Sequence, residues 1–249
     1  MDNSNYNFIT SQIGTFNNVT TISNNVANAN TPGYKEDKMV FEKYLTKDVN
    51  DNNTMPLDRA TVVDIKPGAL KQTNRELDFA ISGDAFFMIE TPLGIRYTKA
   101  GTFTINSDAE LVTPAGNHVL TENGDIITFN QDDNMIMIDS EGRIYARNTP
   151  QNNYEERAKL GIMSVENPRA IRKAGDGNFI VENNVPVAQA NPNTYKMLQG
   201  FVEESNVVPI TSMSNLVQLQ HKSSEAVSMT KQMDGVNSSL YKVLSRSSL

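Results

Sequence analysis

Three regimes of hydrophobic patterning follow one another along the chain. In the first, Tyr6, Ile9, Ile13, Phe16, Thr20, Ser23 and Ala27 recur every three or four positions, and Val19, Ile22 and Val26 widen the stripe on one side. That period belongs to an α-helix, and it predicts one over residues 4–28. In the second regime, short runs alternate and are broken by turn residues: "AFFMIE", "GIRYT", "GTFTIN", "DIITF", "NMIMID", "GRIYA", "LGIMSV" and "NFIVE". Asn123-Gly124, Glu141-Gly142 and Asp176-Gly177 stand where hairpin turns belong. In the third, Ser212, Leu216, Leu219, Ser223, Ala226, Thr230, Met233, Asn237, Leu240 and Leu244 keep a 4-3 alternation, which predicts a long helix over about 209–245.

The pattern therefore predicts an α+β chain. Its N- and C-terminal helices would pair as a coiled-coil-like core around a central, mostly antiparallel, irregular β domain. The expected divisions are residues 1–35 for the first helix and its Asn-rich end, 36–67 for a linker, 68–200 for the β domain and 201–249 for the last helix. There is no βαβ alternation, so a doubly wound or barrel α/β fold is not expected.

The first helix has an unusual composition. Nine of the first thirty residues are Asn, and Asp2 is the sole charge before Lys35. Each interior Asn costs roughly half a kcal/mol relative to Ala, so such a helix depends on packing for its stability. A helix standing free in water carries charges on its outer face. This one does not, which implies that its polar face also meets protein. The segment "SNNVANANTPGYK" at 23–35 then ends the helix. Asn tolerates the left-handed conformation found at helix ends, and Thr31-Pro32-Gly33-Tyr34 suits a type II turn, with Gly33 supplying the positive φ. The amides of Asn24, Asn25, Asn28 and Asn30 remain available for backbone bonds, within this chain or to a neighbour.

The seam of the last helix is rich in Ser, Thr, Asn and Met. A two-stranded zipper fits that composition poorly, whereas a tight bundle accepting small residues fits it well. Both ends of the chain thus read as helices in want of partners.

Composition narrows the function classes. The chain has 249 residues, a net charge of −7 and scattered Lys and Arg, so nucleic acid is not an expected partner. It contains no long apolar run, so no membrane insertion is expected. The opening "MDNSNYNFITS" has neither a basic nor an apolar signal region, so export with a cleaved leader is not expected. With no Cys at all, disulfides, thiolate nucleophiles and Cys-bound zinc are excluded.

Candidate chemistry is thin. His118 and His221 are far apart in sequence, and neither is expected to bind a metal. Asp132, Asp133, Asp139 and Glu141 lack the spacing of a calcium loop. "KAGDGNF" at 173–179 has the glycines of a hairpin tip without the Lys-Ser/Thr of a phosphate loop. Asp78 and Asp84 flank "FAISG", and nothing around them points to a raised pKa. No catalytic, cofactor or metal site is expected.

Four stretches resemble the rod and hook family of bacterial flagellar axial proteins. They are "ISNNVANANTPGYK" at 22–35, "LDFAISGDAFFMI" at 77–89, "RYTKAGTFTINSDAELVTPAGNHVL" at 96–120 and "LQGFVEESNV" at 198–207. They occur in the family's order and span nearly the whole chain. The resemblance implies a structural subunit whose terminal helices pack into a tube and whose β domain lies outside it. It also implies partnership with other rod proteins and with copies of itself, and export through the flagellar apparatus with the N-terminus intact. The family's helix-end motif falls on Asn24, Asn25, Ala27, Asn28, Thr31, Gly33 and Tyr34. Its C-terminal motif falls on Gly200, Glu203, Ser205, Asn206 and Val207. With the seam residues Ile9, Ile13, Phe16, Leu216, Leu219, Met233 and Leu240, these motif residues other than Gly200 make the expected assembly interface. Departures are Ala85 where the family has Gly, Val208-Pro209 after Asn206-Val207, a short linker, and "LQHKSSEA" at 219–226 in place of an aromatic seam. The last two favour the proximal-rod type over the distal-rod type.

Overall fold

The computed structural model describes residues 3–45, 54–133, 135–149, 153–182 and 185–246, with side chains omitted for part of the helices and of the strands near residue 50. Helix α1 spans Asn3–Ala27 and helix α2 spans Pro209–Arg246. Pro209 occupies the first turn of α2, where its missing N–H costs nothing.

Among the described residues the chain divides into two compact units. One gathers parts of residues 1–27, 37–61 and 208–249, and the other gathers 28–36 and 62–207. In the first unit α1 lies against α2 and against the strand Asp37–Leu45. That strand pairs with Thr54–Val63 in a two-stranded sheet of its own. The stretch 36–67, expected as a linker, thus carries two long strands. The Asn and Asp residues that gave it a loop-like composition lie largely in 46–53, outside the described residues.

The second unit is almost entirely sheet. Its centre is the strand Ala85–Thr91, which pairs antiparallel with Gly94–Thr98, with His118–Val119 and with Ile162–Val165. Successive strand residues face opposite ways, so this one strand supplies two cores. Ala85, Phe87 and Ile89 join Phe79, Phe103, Leu111, Ile127, Ile144 and Leu160 in the main cluster. Phe86 faces the other way and packs with Val63, Ile171 and Phe179. The ring of Phe87 meets Phe103 edge-on at 5.1 Å between centroids, a favoured aromatic geometry. The three expected hairpin turns are present, with Gly124, Gly142 and Gly177 at φ of 90°, 89° and 82°.

The expectation of a coiled-coil-like helical core is overturned. The described chain has only two α-helices and is otherwise mostly sheet. Its large buried apolar side chains belong to the sheet unit: Phe79, Ile81, Phe87, Ile89 and Phe103 are each at most 1% exposed. The physical reason lies in the helix seams. Thr20, Ser23, Ala27, Ser212, Ser223, Ala226 and Thr230 are too small to serve as the large interlocking knobs that a coiled-coil core requires.

The seam of α1 is also turned the wrong way for such a core. Ile13 is 56% and Phe16 72% exposed, and Thr20, Ser23 and Ala27 are exposed beside them. Gly14 and Asn25 are buried, and Asn18, Thr21 and the flanking Val19, Ile22 and Val26 are partly covered. The most covered line is thus displaced by one residue, roughly 100° around the helix, from Ile13 and Phe16. In α2 the seam does face inward: Ser212 is buried, and Leu216, Leu219, Ser223, Ala226 and Thr230 are partly covered. Ile210, Met213 and Val217 on its other faces are 82%, 51% and 50% exposed.

Candidate assembly site

The two sequence motifs that flank the sheet unit meet inside it. At the end of α1, Tyr34 N–H donates to Thr31 O at 3.2 Å, closing the expected turn, with Gly33 at φ +72°. Gly33 is also pressed against the backbone, since a Cβ there would stand 2.2 Å from Ala100 N. Its N–H donates to Glu203 O at 2.7 Å, which ties the helix-end motif to the C-terminal motif.

Side-chain amides then extend the backbone ladder where no strand runs. Asn25, only 2% exposed, donates to Asp37 O at 2.8 Å and accepts from Asp37 N–H at 3.0 Å. Asn206 accepts from Glu36 N–H at 2.7 Å and donates to Asp64 O at 2.9 Å and to Lys66 O at 3.1 Å. An amide can do both because it carries a donor and an acceptor in one plane. This accounts for part of the Asn richness: Asn25 and Asn206 act as structural substitutes for backbone.

Beneath them lies a buried charged cluster. Lys35 and Glu203 are 0% and 1% exposed and meet at 2.5 Å. The same oxygen, Oε1, accepts from Gly68 N–H at 2.9 Å, and Lys35 also donates to Lys66 O at 2.8 Å. The second carboxylate oxygen, Oε2, has no hydrogen-bond donor and faces Lys99 Nζ at 3.6 Å. Lys99 donates instead to Gly83 O at 2.6 Å and lies 5.4 Å from the Phe86 ring centre. Two ammonium groups thus share one carboxylate out of water. Burial lowers Lys99 to about 8, with Lys35 acting in the same sense and Glu203 opposing. A carboxylate at this depth is tolerable only while its cations stay, and breaking such a pair costs about 3–5 kcal/mol.

The residues expected to form the interface therefore separate into two sets. Gly33, Tyr34, Glu203 and Val207 are buried in the sheet unit, Asn25 is buried in the helical unit, and Asn28, Ser205 and Asn206 are partly covered. Ile13, Phe16, Asn24, Ala27 and Thr31 are exposed, and Leu216 and Leu219 are partly covered. The side chains of Ile9, Met233 and Leu240 lie outside those described. Lys35, Lys99 and Gly68 were not among the expected residues. The signal was a Lys in each of two motifs, "TPGYK" and "YTKAG", with a carboxylate in the third, "FVEESNV".

The remaining polar candidates serve the fold. Asp133 takes two bonds from Arg157, at 2.9 and 3.0 Å, and the Arg157 guanidinium holds its carboxyl below the usual range. His118 Nδ1 is 3.4 Å from Glu110 Oε2, and buried Asp78 pairs with Arg75 at 3.5 Å. Asp84 and His221 are exposed. No group of three or more His, Asp or Glu among the described residues is placed to hold a metal ion, and no described helix is long and apolar enough to cross a membrane.

Comparison with known proteins gives this arrangement a context. Residues 80–146 match the family model of the flagellar hook protein FlgE/F/G D1 domain, and residues 15–35 match that of the flagella basal body rod protein. The first covers the centre of the sheet unit and the second the end of α1 with its turn. The flagellar basal-body rod protein FlgF of Rhizobium meliloti is 29% identical, over 92% of each chain. FlgF of Caulobacter vibrioides is 28% identical, over 88% of this chain and 89% of its own. The rod protein FlgG of Bacillus subtilis is also 29% identical, over 75% and 78%. With both motifs joined in one clasp and relatives matching over up to 92% of its length, the chain is similar to the flagellar basal-body rod proteins, FlgF and FlgG among them.

Proposed function

We propose that this chain is a proximal-rod subunit whose terminal helices pack among those of neighbouring subunits in a helical tube, through which torque passes to the filament. The observation that carries this reading is the outward apolar stripe of α1. Ile13 and Phe16 are exposed on a helix with almost no charge to keep it in water. Exposed Ile210, Met213 and Val217 near the start of α2 supply further apolar surface. Because rod subunits repeat by a helical operation, the contact joins different patches on successive subunits instead of one patch to itself. The expected interface accordingly divides: Ile9, Ile13, Phe16, Asn24, Ala27, Met233 and Leu240 are proposed to meet neighbours, and Gly33, Tyr34, Glu203, Asn206 and Val207 to present them.

Export through the flagellar apparatus without removal of a leader belongs to the same proposal, and the intact mass of subunit recovered from basal bodies tests it. Placement in the proximal instead of the distal rod draws on the short linker and on "LQHKSSEA" at 219–226 in place of an aromatic seam. The equal identity to Bacillus subtilis FlgG keeps the distal rod as the second reading. Truncation at residue 210 provides the test of assembly. The shortened chain should retain a folded sheet unit, fail to enter purified basal bodies and leave cells non-motile. Normal incorporation would refute the proposal.

A further inference from the structure

We infer that Glu203, held between Lys35 and Lys99, is a positioning residue for assembly: it fixes segments 33–36 and 203–206 side by side, so that the chain leading into residue 37 and into residue 208 keeps a set separation. This rests on the rod-subunit reading and specifies how the subunit presents its two ends.

The argument begins with the kind of contact. Apolar packing would hold these segments together but would let them slide, because it has no direction. Glu203 is directional at both oxygens. Oε1 takes Lys35 at 2.5 Å and Gly68 N–H at 2.9 Å, and Oε2 faces Lys99 at 3.6 Å. Lys99 is itself tied to Gly83 O at 2.6 Å, so the carboxylate is located by three separate parts of the chain. The backbone of the same residue accepts from Gly33 N–H, and Asn206 three positions on accepts from Glu36 N–H. Each register-setting bond between the segments thus lies within three residues of Glu203.

Stability alone does not call for this choice. A buried ion pair is often matched or bettered by apolar residues of the same volume. Here a second cation adds further cost, seen in the lowered Lys99 value. What the cluster supplies beyond stability is a single alignment, the role for which buried charge is best attested.

The test is the full chain carrying Lys35→Met, Lys99→Met and Glu203→Leu together. We expect Tm to be unchanged or higher, and the Phe87 and Ile89 amides to stay protected from hydrogen exchange. The Gly33 and Glu36 amides should exchange at least about tenfold faster, and incorporation into basal bodies should fall. A stable variant that keeps Gly33 and Glu36 protected and assembles normally would overturn the inference. Should the triple variant not fold, Glu203→Gln is scored by the same readouts. Loss of protection confined to Gly33 and Glu36, with loss of assembly, supports positioning. Normal protection and assembly, or global unfolding of this variant as well, overturns it. Ile13→Ser with Phe16→Ser is run in parallel: normal assembly of that variant would defeat the proposed helix interface without bearing on the cluster.

Discussion

Replacing Ile13 and Phe16 by Ser separates folding from assembly more sharply than truncation does. Ser has a helix propensity close to those of Ile and Phe, so α1 itself should lose little. Phe16 is 72% and Ile13 56% exposed, so neither contributes much burial within the chain. The expected change in unfolding free energy is within about 0.5 kcal/mol, typical of surface substitutions. Complete burial of a Phe or Ile side chain is worth about 1.5–3 kcal/mol, and more than half of that remains to be gained when a neighbour covers the stripe. The pair should therefore contribute about 2–4 kcal/mol per subunit contact, which is roughly 30- to 700-fold in association. The assay has two arms: urea unfolding of the purified full chain, and incorporation into basal bodies with motility as the cellular readout. An unfolding curve that matches the parent, together with lost incorporation, is the expected result. A large drop in stability, or normal incorporation, would refute the reasoning.

Further outcomes follow from the clasp. Gly33→Ala places a non-glycine residue at φ +72° and a Cβ 2.2 Å from Ala100 N; left-handed backbone alone costs about 1–2 kcal/mol, so thermal unfolding should show a loss above that figure. Asn206→Asp keeps the acceptor for Glu36 N–H but turns a carboxylate toward the carbonyls of Asp64 and Lys66, and urea unfolding should report a loss of about 1–3 kcal/mol from two lost hydrogen bonds at about 0.5–1.5 kcal/mol each. The Lys99 amine, at about 8 when folded against about 10.5 unfolded, binds its proton more weakly in the native state. Between those values the unfolded chain holds more protons, so this group's contribution to stability rises with pH from about 8 upward, by as much as about 3 kcal/mol at the upper end. Urea titrations from pH 7.5 to 9.5, taken as the difference between the parent and Lys99→Met, should show that slope; a flat difference would contradict it.

The sequence made the long periodic elements legible and left their facing open. Both helices lie within about a residue of the bounds read from periodicity, and the Thr31–Tyr34 turn has the expected form. Periodicity locates an apolar stripe but cannot say whether its partner is the same chain. On α2 the described part of the stripe is partly covered; on α1 Gly14 and Asn25 are buried, while Ile13 and Phe16 of the stripe are exposed. That is why the expected coiled-coil-like core fails while the stripe itself is real. The strands Asp37–Leu45 and Thr54–Val63 were obscured by the Asn- and Asp-rich stretch between them, whose composition reads as linker. The charged cluster was hidden for a different reason. Lys35, Lys99 and Glu203 carry ordinary surface side chains, and only three-dimensional packing brings residues 35, 99 and 203 to one point. Mapping motif residues onto an interface therefore mixed those that face outward with those that shape the fold beneath.

The absence of Cys makes the central claim directly measurable. A single Ile13→Cys variant can be treated with a maleimide both as purified subunit and within isolated basal bodies. The account predicts rapid labelling of the free subunit and strong protection once it is in the rod. Equal labelling in the two states, or protection already present in the free subunit, would contradict it.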